Sequence, residues 1–417
     1  MSTHTDPVTS SLEQYRSDFP ALHQTHPNGN PVVYLDSGAS AQKPQCVIDA
    51  VSRCYSEYYA NAYRGVYYFG ARIDEELENA REQVRNLLNA KSAHEIVFTA
   101  GTTMSINMVA QGWGRKSLSA GDEIILNVLE HHANLVPWQM IAQETGAILK
   151  YLPLTADGQL DLDQLPNLLT EKTKMLAVTG MSNVLGTLPD LKSIISTCHA
   201  NNTLVLVDGA QLVPHTDVNV TELDIDFLTF SGHKLYGPSG VGVLYGKENL
   251  LDQMDPMLGG GHMIDQVFQD HSTWAALPAK FEAGTLPIAP IIGLGKAIEY
   301  IQNIGLHQIE THERLLLEYA HDKLTTLPGL QILGPSIKHK GAITSFTIEG
   351  LHPHDIADWL DRTGVAVRAG HHCTMPLHEH LNIHASTRAS FGLYNNHSDI
   401  DALCEGLEYT LQKHKLI

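Results

Sequence analysis

The stretch LVLVDGAQLVPHTDVNVTELDIDFLTFSGHKLYGPSGVGVLY, Leu204 to Tyr245, decides the fold. It opens on an apolar run, LVLV over 204–207, which stops at Asp208, Gly209, Ala210 and Gln211. A second run, DFLTF over 226–230, leads into Ser231, Gly232, His233 and Lys234. Short apolar runs closed by polar residues predict buried parallel strands with reactive groups at their C-terminal ends. Open α/β sheets bind ligands at that edge. Asp208 and the Ser231–Lys234 group are therefore expected to face one crevice. They stand 26 positions apart, enough chain for a crossover between parallel strands.

A carboxylate and a lysine in one crevice suit pyridoxal phosphate, which is held as a lysine Schiff base with an acid opposite its pyridine nitrogen. Each residue also has a plainer reading. A lysine after a strand is commonly a solvated strand end, and an Asp there often caps the next helix. The claim needs a phosphate site and a substrate site elsewhere in the chain.

Size and charge bound the answer. The 417 residues allow two domains and a large core. A hydrophobic share of 43% and a charged share of 18% are ordinary for a globular protein. The net charge of −19 argues against nonspecific binding of nucleic acid or anionic membrane. Five scattered cysteines, at 46, 54, 198, 373 and 404, fit a reducing compartment better than a disulfide framework. His131–His132 and His371–His372 lack zinc-type spacing, so no metal site is expected. The start, MSTHTDPVTSS, has no apolar signal core, no run is long enough to span a bilayer, and the cytoplasm is the expected location.

Working outward, SLEQYRSDFPAL reads as a short amphipathic helix, and PVVYLDSGAS as a strand over 32–35 ending in Asp36-Ser37-Gly38, a second polar strand end for the crevice. Residues 45–62 and 71–90 read as helices, with the Gly- and aromatic-rich NAYRGVYYFG, 61–70, as a loop between them. EIVFT, 95–99, runs into Gly101-Thr102-Thr103 and a helical stretch. Free N–H groups at a helix start, with two hydroxyls, would cradle a phosphate, or would form a plain N-cap. A strand over 123–128 ends near Glu130, His131 and His132, and another over 175–179 ends near Ser182 and Asn183. A histidine there could stack on a flat ring and take part in proton transfer, and Asn183 is a candidate donor to a ring hydroxyl or a substrate carboxylate. The C-terminal part, from about 310, alternates helices with β segments and predicts an α+β second domain. Within it, AVRAGHHCTMPL puts Cys373 beside His371, His372 and Arg368, cationic neighbours that favour a thiolate. The alternative is an inert buried cysteine. Arg388 in STRASF could fork onto a carboxylate or lie on the surface.

Taken together, GTT…IN, EHHANLVPWQ, SNVLGT, VDGAQ, FSGHKLYGPSGVGVLYGK, FEAGT and RAGHHC resemble the SufS/CsdA-type (group II) cysteine desulfurases and selenocysteine lyases, within the class V group of fold-type I PLP enzymes. The resemblance runs from YLDSGASAQKP to the C-terminal helix. It implies a mixed, mostly parallel seven-stranded sheet in a large domain over 31–300. An N-terminal segment over 1–30 would precede it, and a smaller α+β domain over 301–417 would carry the nucleophile loop. It implies pyridoxal phosphate on Lys234, Asp208 at the ring nitrogen, Gln211 at the phenolic oxygen and His131 stacked on the ring. Thr102, Thr103, Ser231 and His233 would hold the phosphate, and Thr285 would reach the phosphate of the other subunit in a homodimer. Asn183 and Arg388 would bind the carboxylate of L-cysteine, with Arg368 shaping the site of Cys373, the nucleophile. The product would be alanine and a Cys373 persulfide, passed to an acceptor protein of the SufE, CsdE or SufU type for iron–sulfur assembly; selenocysteine is a further candidate substrate. Departures from the family pattern are Met104, Tyr67, Thr374 and His262. The alternatives are another class V enzyme, such as an aminotransferase or kynureninase-like hydrolase, and a non-catalytic scaffold. Cys373 argues against the first, and the intact Lys234, Asp208 and Cys373 set against the second.

Overall fold

The computed structural model describes residues 12–416. The polar stretch over 1–11 lies outside the described residues. Seven strands form the main sheet: β1 (Ile96–Thr99), β2 (Glu123–Asn127), β3 (Ile148–Leu152), β4 (Thr173–Thr179), β5 (Leu204–Asp208), β6 (Phe227–Ser231) and β7 (Gly242–Gly246). Their order is β1-β7-β6-β5-β4-β2-β3, and only β7 runs against its neighbours. The sheet is thus mixed and mostly parallel. Valine, isoleucine and leucine fill the central strands because helices or loops cover both faces. Edge strand β3 is missing from the sequence reading. Its ILKYL exposes Ile148 and Tyr151 and has Lys150 in the middle, so the unbroken apolar run that marks a fully buried strand is absent.

Register explains why polar residues gather at one edge. Thr179 pairs with Asp208, and Asp208 with Thr229, so the ends of β4 and β5 lie level and β6 runs slightly further, to Ser231. The connection from β5 to β6 contains no helix and is built from turns. At the other side of β7, Gly101 comes so close to Gly242 that a Cβ at Gly242 would overlap the Gly101 Cα. That approach lets the turn before helix Thr102–Val109 sit over Ser231.

Helices Gln45–Arg53 and Tyr68–Leu88 pack on helix Ile288–Ile304. The expected loop over 61–70 ends early: Tyr68, Phe69 and Gly70 are already helical. Gly70 lies directly on the Gly65 backbone, so its glycine serves close packing rather than a turn. The N-terminal stretch forms two short 3-10 turns, Glu13–Asp18 and Pro20–His23.

The C-terminal part is a four-stranded antiparallel sheet. In spatial order its strands are Leu330–Ile332, Ile343–Ile348, Ser386–Ser390 and Arg368–Gly370. Helices Leu306–Leu324, Pro353–Asp361 and His397–Lys413 pack on it around Leu317, Phe346, Leu360, Phe391 and Leu407. The YLD segment attaches here rather than to the seven-stranded sheet. Val33–Tyr34 pairs in parallel with Val365–Ala366, and Val33 and Leu35 join this second core.

Candidate active site

Lys234 sits in a single 3-10 turn, Gly232–Lys234, that follows β6 without a break. Its side chain enters a cavity of about 200 Å³ at the strand ends. The cavity is also lined by Thr102, Thr103, His131, Asn183, Asp208, Gln211, Ser231, His233, Arg368, Cys373 and Arg388. Thr285 is not among the lining residues. It borders a separate hollow with Tyr63, Arg64 and His262, where the Tyr63 and His262 rings stack at 4.6 Å.

Burial decides the charge states. It lowers the Lys234 amine to about 8, with Asp208 opposing the fall and Arg388 adding to it. The same burial raises the Asp208 carboxyl, against the Ala210 N–H that donates to its Oδ1 at 3.0 Å and the charge of Lys234. His131 is lowered to about 4, chiefly by burial and then by Lys234. Its Nδ1 accepts the Ala133 N–H at 3.0 Å, so the remaining ring proton sits on Nε2 and the ring is neutral.

At the start of helix Thr102–Val109, Ser231 Oγ accepts the Thr102 N–H at 2.9 Å and lies 2.8 Å from Thr102 Oγ1. The hydroxyls gathered at this helix start suit an anion cradle. On the opposite wall, the Arg388 guanidinium is buried, with Nη1 donating to the Asn183 carbonyl at 2.9 Å and Nη2 to Asp36 at 3.0 Å. Its Nε is buried with no partner among the described residues. Arg368 Nε meets the other Asp36 oxygen at 3.4 Å.

Asp36 thus holds two cavity arginines, a role the sequence reading missed. The signal available was only a strand-end Asp, and the arginines lie more than 300 positions away. Glu130 was missed too. It is buried behind His131 and takes hydrogen bonds from Asn127, Asn134 and the Thr179 N–H, tying the ends of β2 and β4. Asn183 lines the cavity, and its amide is also engaged with the chain around Cys373. Its Nδ2 donates to the His372 carbonyl at 2.7 Å and its Oδ1 accepts from Thr374 at 3.1 Å, so it grips the chain on both sides of Cys373.

The family model for aminotransferase class-V matches residues 33–403. The chain belongs to the class-V aminotransferase family. Among curated members, a probable cysteine desulfurase of Halalkalibacterium halodurans is 50% identical over 392 residues, 94% of this chain and 96% of the relative. A cysteine desulfurase of Escherichia coli is 47% identical over 96% of this chain and 98% of its own length. Among solved structures, the Escherichia coli cysteine desulfurase CsdA superposes with a TM-score of 0.90 at 44% identity, covering 96% of this chain and 98% of the other. The apo cysteine desulfurase of Thermococcus onnurineus NA1 gives 0.91 at 35% identity with the same coverage.

The cofactor of this class-V family is pyridoxal phosphate, and the residues present fit it. A buried carboxylate and a lysine share the cavity, and a hydroxyl-rich helix start stands at its rim. Gln211 donates its Nε2 to the Gly38 carbonyl at 2.7 Å and leaves Oε1 buried without a partner among the described residues. Such an orphan calls for a polar ligand group.

Proposed function

We propose that the protein is an L-cysteine desulfurase that releases L-alanine, keeps the sulfur on Cys373 and hands it to an acceptor protein, serving iron–sulfur cluster assembly. L-selenocysteine is a second substrate on this reading. One observation carries it: the exposed thiol of Cys373 and the amine of Lys234 line the same cavity. An aminotransferase or hydrolase of this family has no use for a nucleophilic sulfur there.

Lys234 would hold pyridoxal phosphate, with Asp208 at the ring nitrogen, Gln211 at the phenolic oxygen, His131 on the ring face, and Thr102, Thr103, Ser231 and His233 at the phosphate. When bound, the cofactor withdraws electrons from the substrate and makes its Cα proton removable. Lys234 Nζ, poised near neutral pH by burial, takes that proton. Arg388, steadied by Asp36, binds the substrate carboxylate together with the second Nδ2–H of Asn183. Cys373 Sγ then attacks the substrate sulfur. The S–S bond forms, the Cβ–S bond breaks with its electron pair left on the carbon skeleton, and protonation yields alanine. The persulfide is a reversible carrier.

The same reading makes the enzyme a homodimer, with Thr285 serving the phosphate of the other subunit. An exposed apolar strip supports self-association: Val66, Tyr67, Tyr68 and Phe69 are all open in the single chain. The free state of all five cysteines accords with a cytoplasmic home. The test is incubation with L-cysteine, with alanine and sulfide quantified and the added sulfur located by mass spectrometry. Alanine with one extra sulfur on Cys373 is expected. Pyridoxal-loaded protein that makes no alanine would sink the assignment.

A further inference from the structure

The turn that carries Cys373 is held in an unfavourable shape. His372 has φ of +52° and Cys373 has φ of +58°, two successive left-handed residues without a glycine. Such backbone persists only where surrounding contacts over-determine it. Several contacts do so. His132 N donates to the Cys373 carbonyl at 2.8 Å, Met375 N donates to His132 Nε2 at 3.0 Å, and Asn183 Nδ2 donates to the His372 carbonyl at 2.7 Å.

Thr374 stands out among these ties. It is wholly buried although the neighbouring thiol is exposed. Its hydroxyl has one proton, and the nearer acceptor is Asn183 Oδ1 at 3.1 Å, against 3.3 Å for the His372 carbonyl. Its own carbonyl accepts from His378 Nδ1 at 3.0 Å, and His378 Nε2 pairs with Ser386 Oγ at 3.0 Å. Ser386 in turn meets His372 Nε2 at 3.1 Å. The chain is thus closed from one side of Cys373 to the other.

The amide of Asn183 is the pivot. With Oδ1 held by a donor, Nδ2 must face the His372 carbonyl, and its second N–H is left for a substrate. We infer that Thr374 is a positioning residue for sulfur transfer, its hydroxyl fixing the Asn183 amide and with it the His372–Cys373 backbone that aims the thiol. The inference rests on the desulfurase reading above.

The experiment compares wild type, Thr374→Val, Thr374→Ala and Thr374→Ser, each loaded with pyridoxal phosphate and given L-cysteine. Backbone deuterium exchange over 372–375 is followed in the cofactor-free proteins. In Thr374→Val, kcat for alanine should fall about tenfold, the worth of one hydrogen bond, with KM within about twofold. Exchange over the turn should speed up by a similar factor. Thr374→Ala keeps the test alive should valine disturb the packing, and it should behave likewise. Thr374→Ser should restore kcat and exchange to near wild type. Wild-type kcat and exchange in both hydroxyl-free variants, or a serine variant as slow as them, would overturn the inference. Absence of alanine from wild type would instead sink the desulfurase reading itself.

Discussion

Two turns face each other across the cavity, and they are held in different ways. The Ser231–Lys234 turn hangs directly from β6 and is closed at its base by near neighbours, with added ties from the Thr102 N–H to Ser231 Oγ and the Ala41 N–H to the His233 carbonyl. Gly232 N donates to the Val241 carbonyl at 2.9 Å, and Leu235 N to the Gly232 carbonyl at 2.9 Å. The His371–Met375 turn has left-handed residues and takes its shape from His132 and Asn183, each far away in sequence. One turn is an outgrowth of regular structure, and the other a strained loop pinned by remote side chains. A group that anchors a cofactor gains from rigidity supplied by a sheet. On the proposed reading, a nucleophile that receives sulfur and then surrenders it gains from a loop whose grip is separable from the sheet.

The strongest way to break this division is at the rigid turn. Lys234→Ala should lower alanine formation by about 10³-fold or more, since both the attachment point and the proton acceptor are lost. Borohydride treatment of the loaded wild type should fix the cofactor on Lys234. Label on another lysine would remove Lys234 from the site.

The matching change at the pinned loop is Cys373→Ser. Alanine formation from L-cysteine should drop at least about a hundredfold, because a protonated hydroxyl is a poor nucleophile without a base. The absorbance of bound cofactor should stay as in wild type, for the rigid turn is untouched. Wild-type rates in this variant would show that the two turns do not divide the work.

Asp36 lies between the two regions and sharpens the contrast. Its segment pairs with the second core, yet its carboxylate holds Arg388 and Arg368 at the cavity wall. Asp36→Asn keeps the shape and removes the charge. Arg388 then loses its only carboxylate partner among the described residues, and KM for L-cysteine should rise about tenfold, a cost of about 1.4 kcal/mol. An unchanged KM would make Asp36 a structural tie alone.

How much of this was legible follows from the same division. Asp208, Ser231 and Lys234 stand where apolar runs stop, so periodicity alone located them. The Thr102 cradle was visible for the same reason. Strand β3 was hidden because Lys150 breaks its short apolar run at a half-exposed sheet edge. Asp36 and Glu130 stand at strand ends, but their contacts, like those of Thr374, are with partners brought in by tertiary structure. Asn183 was found, but its grip on the Cys373 turn depends on a loop 189 positions away. Thr285 was expected at a phosphate of the other subunit, and a single chain shows only the hollow it shares with His262.

The smallest effect expected concerns pH, and it reads the rigid turn without any substrate. Burial lowers the Lys234 amine from its ordinary value to about 8 because the protonated form is poorly solvated in the cavity. Only the neutral amine can attack the aldehyde of pyridoxal phosphate. Cofactor-free protein should therefore reload faster as pH rises, following deprotonation of Lys234 with a midpoint of about 8. Between pH 7.5 and 8.5 the neutral fraction, and with it the rate, should grow about threefold. An unperturbed lysine would still be climbing well above pH 9, so the two cases part clearly. Asp208→Asn refines the test. The carboxylate supports the charged amine, and its removal should move the midpoint down. A midpoint that stays near the ordinary lysine value would mean that the cavity is wetter than its lining implies, and the contrast between a dry, sheet-built turn and an exposed thiol loop would lose its physical basis.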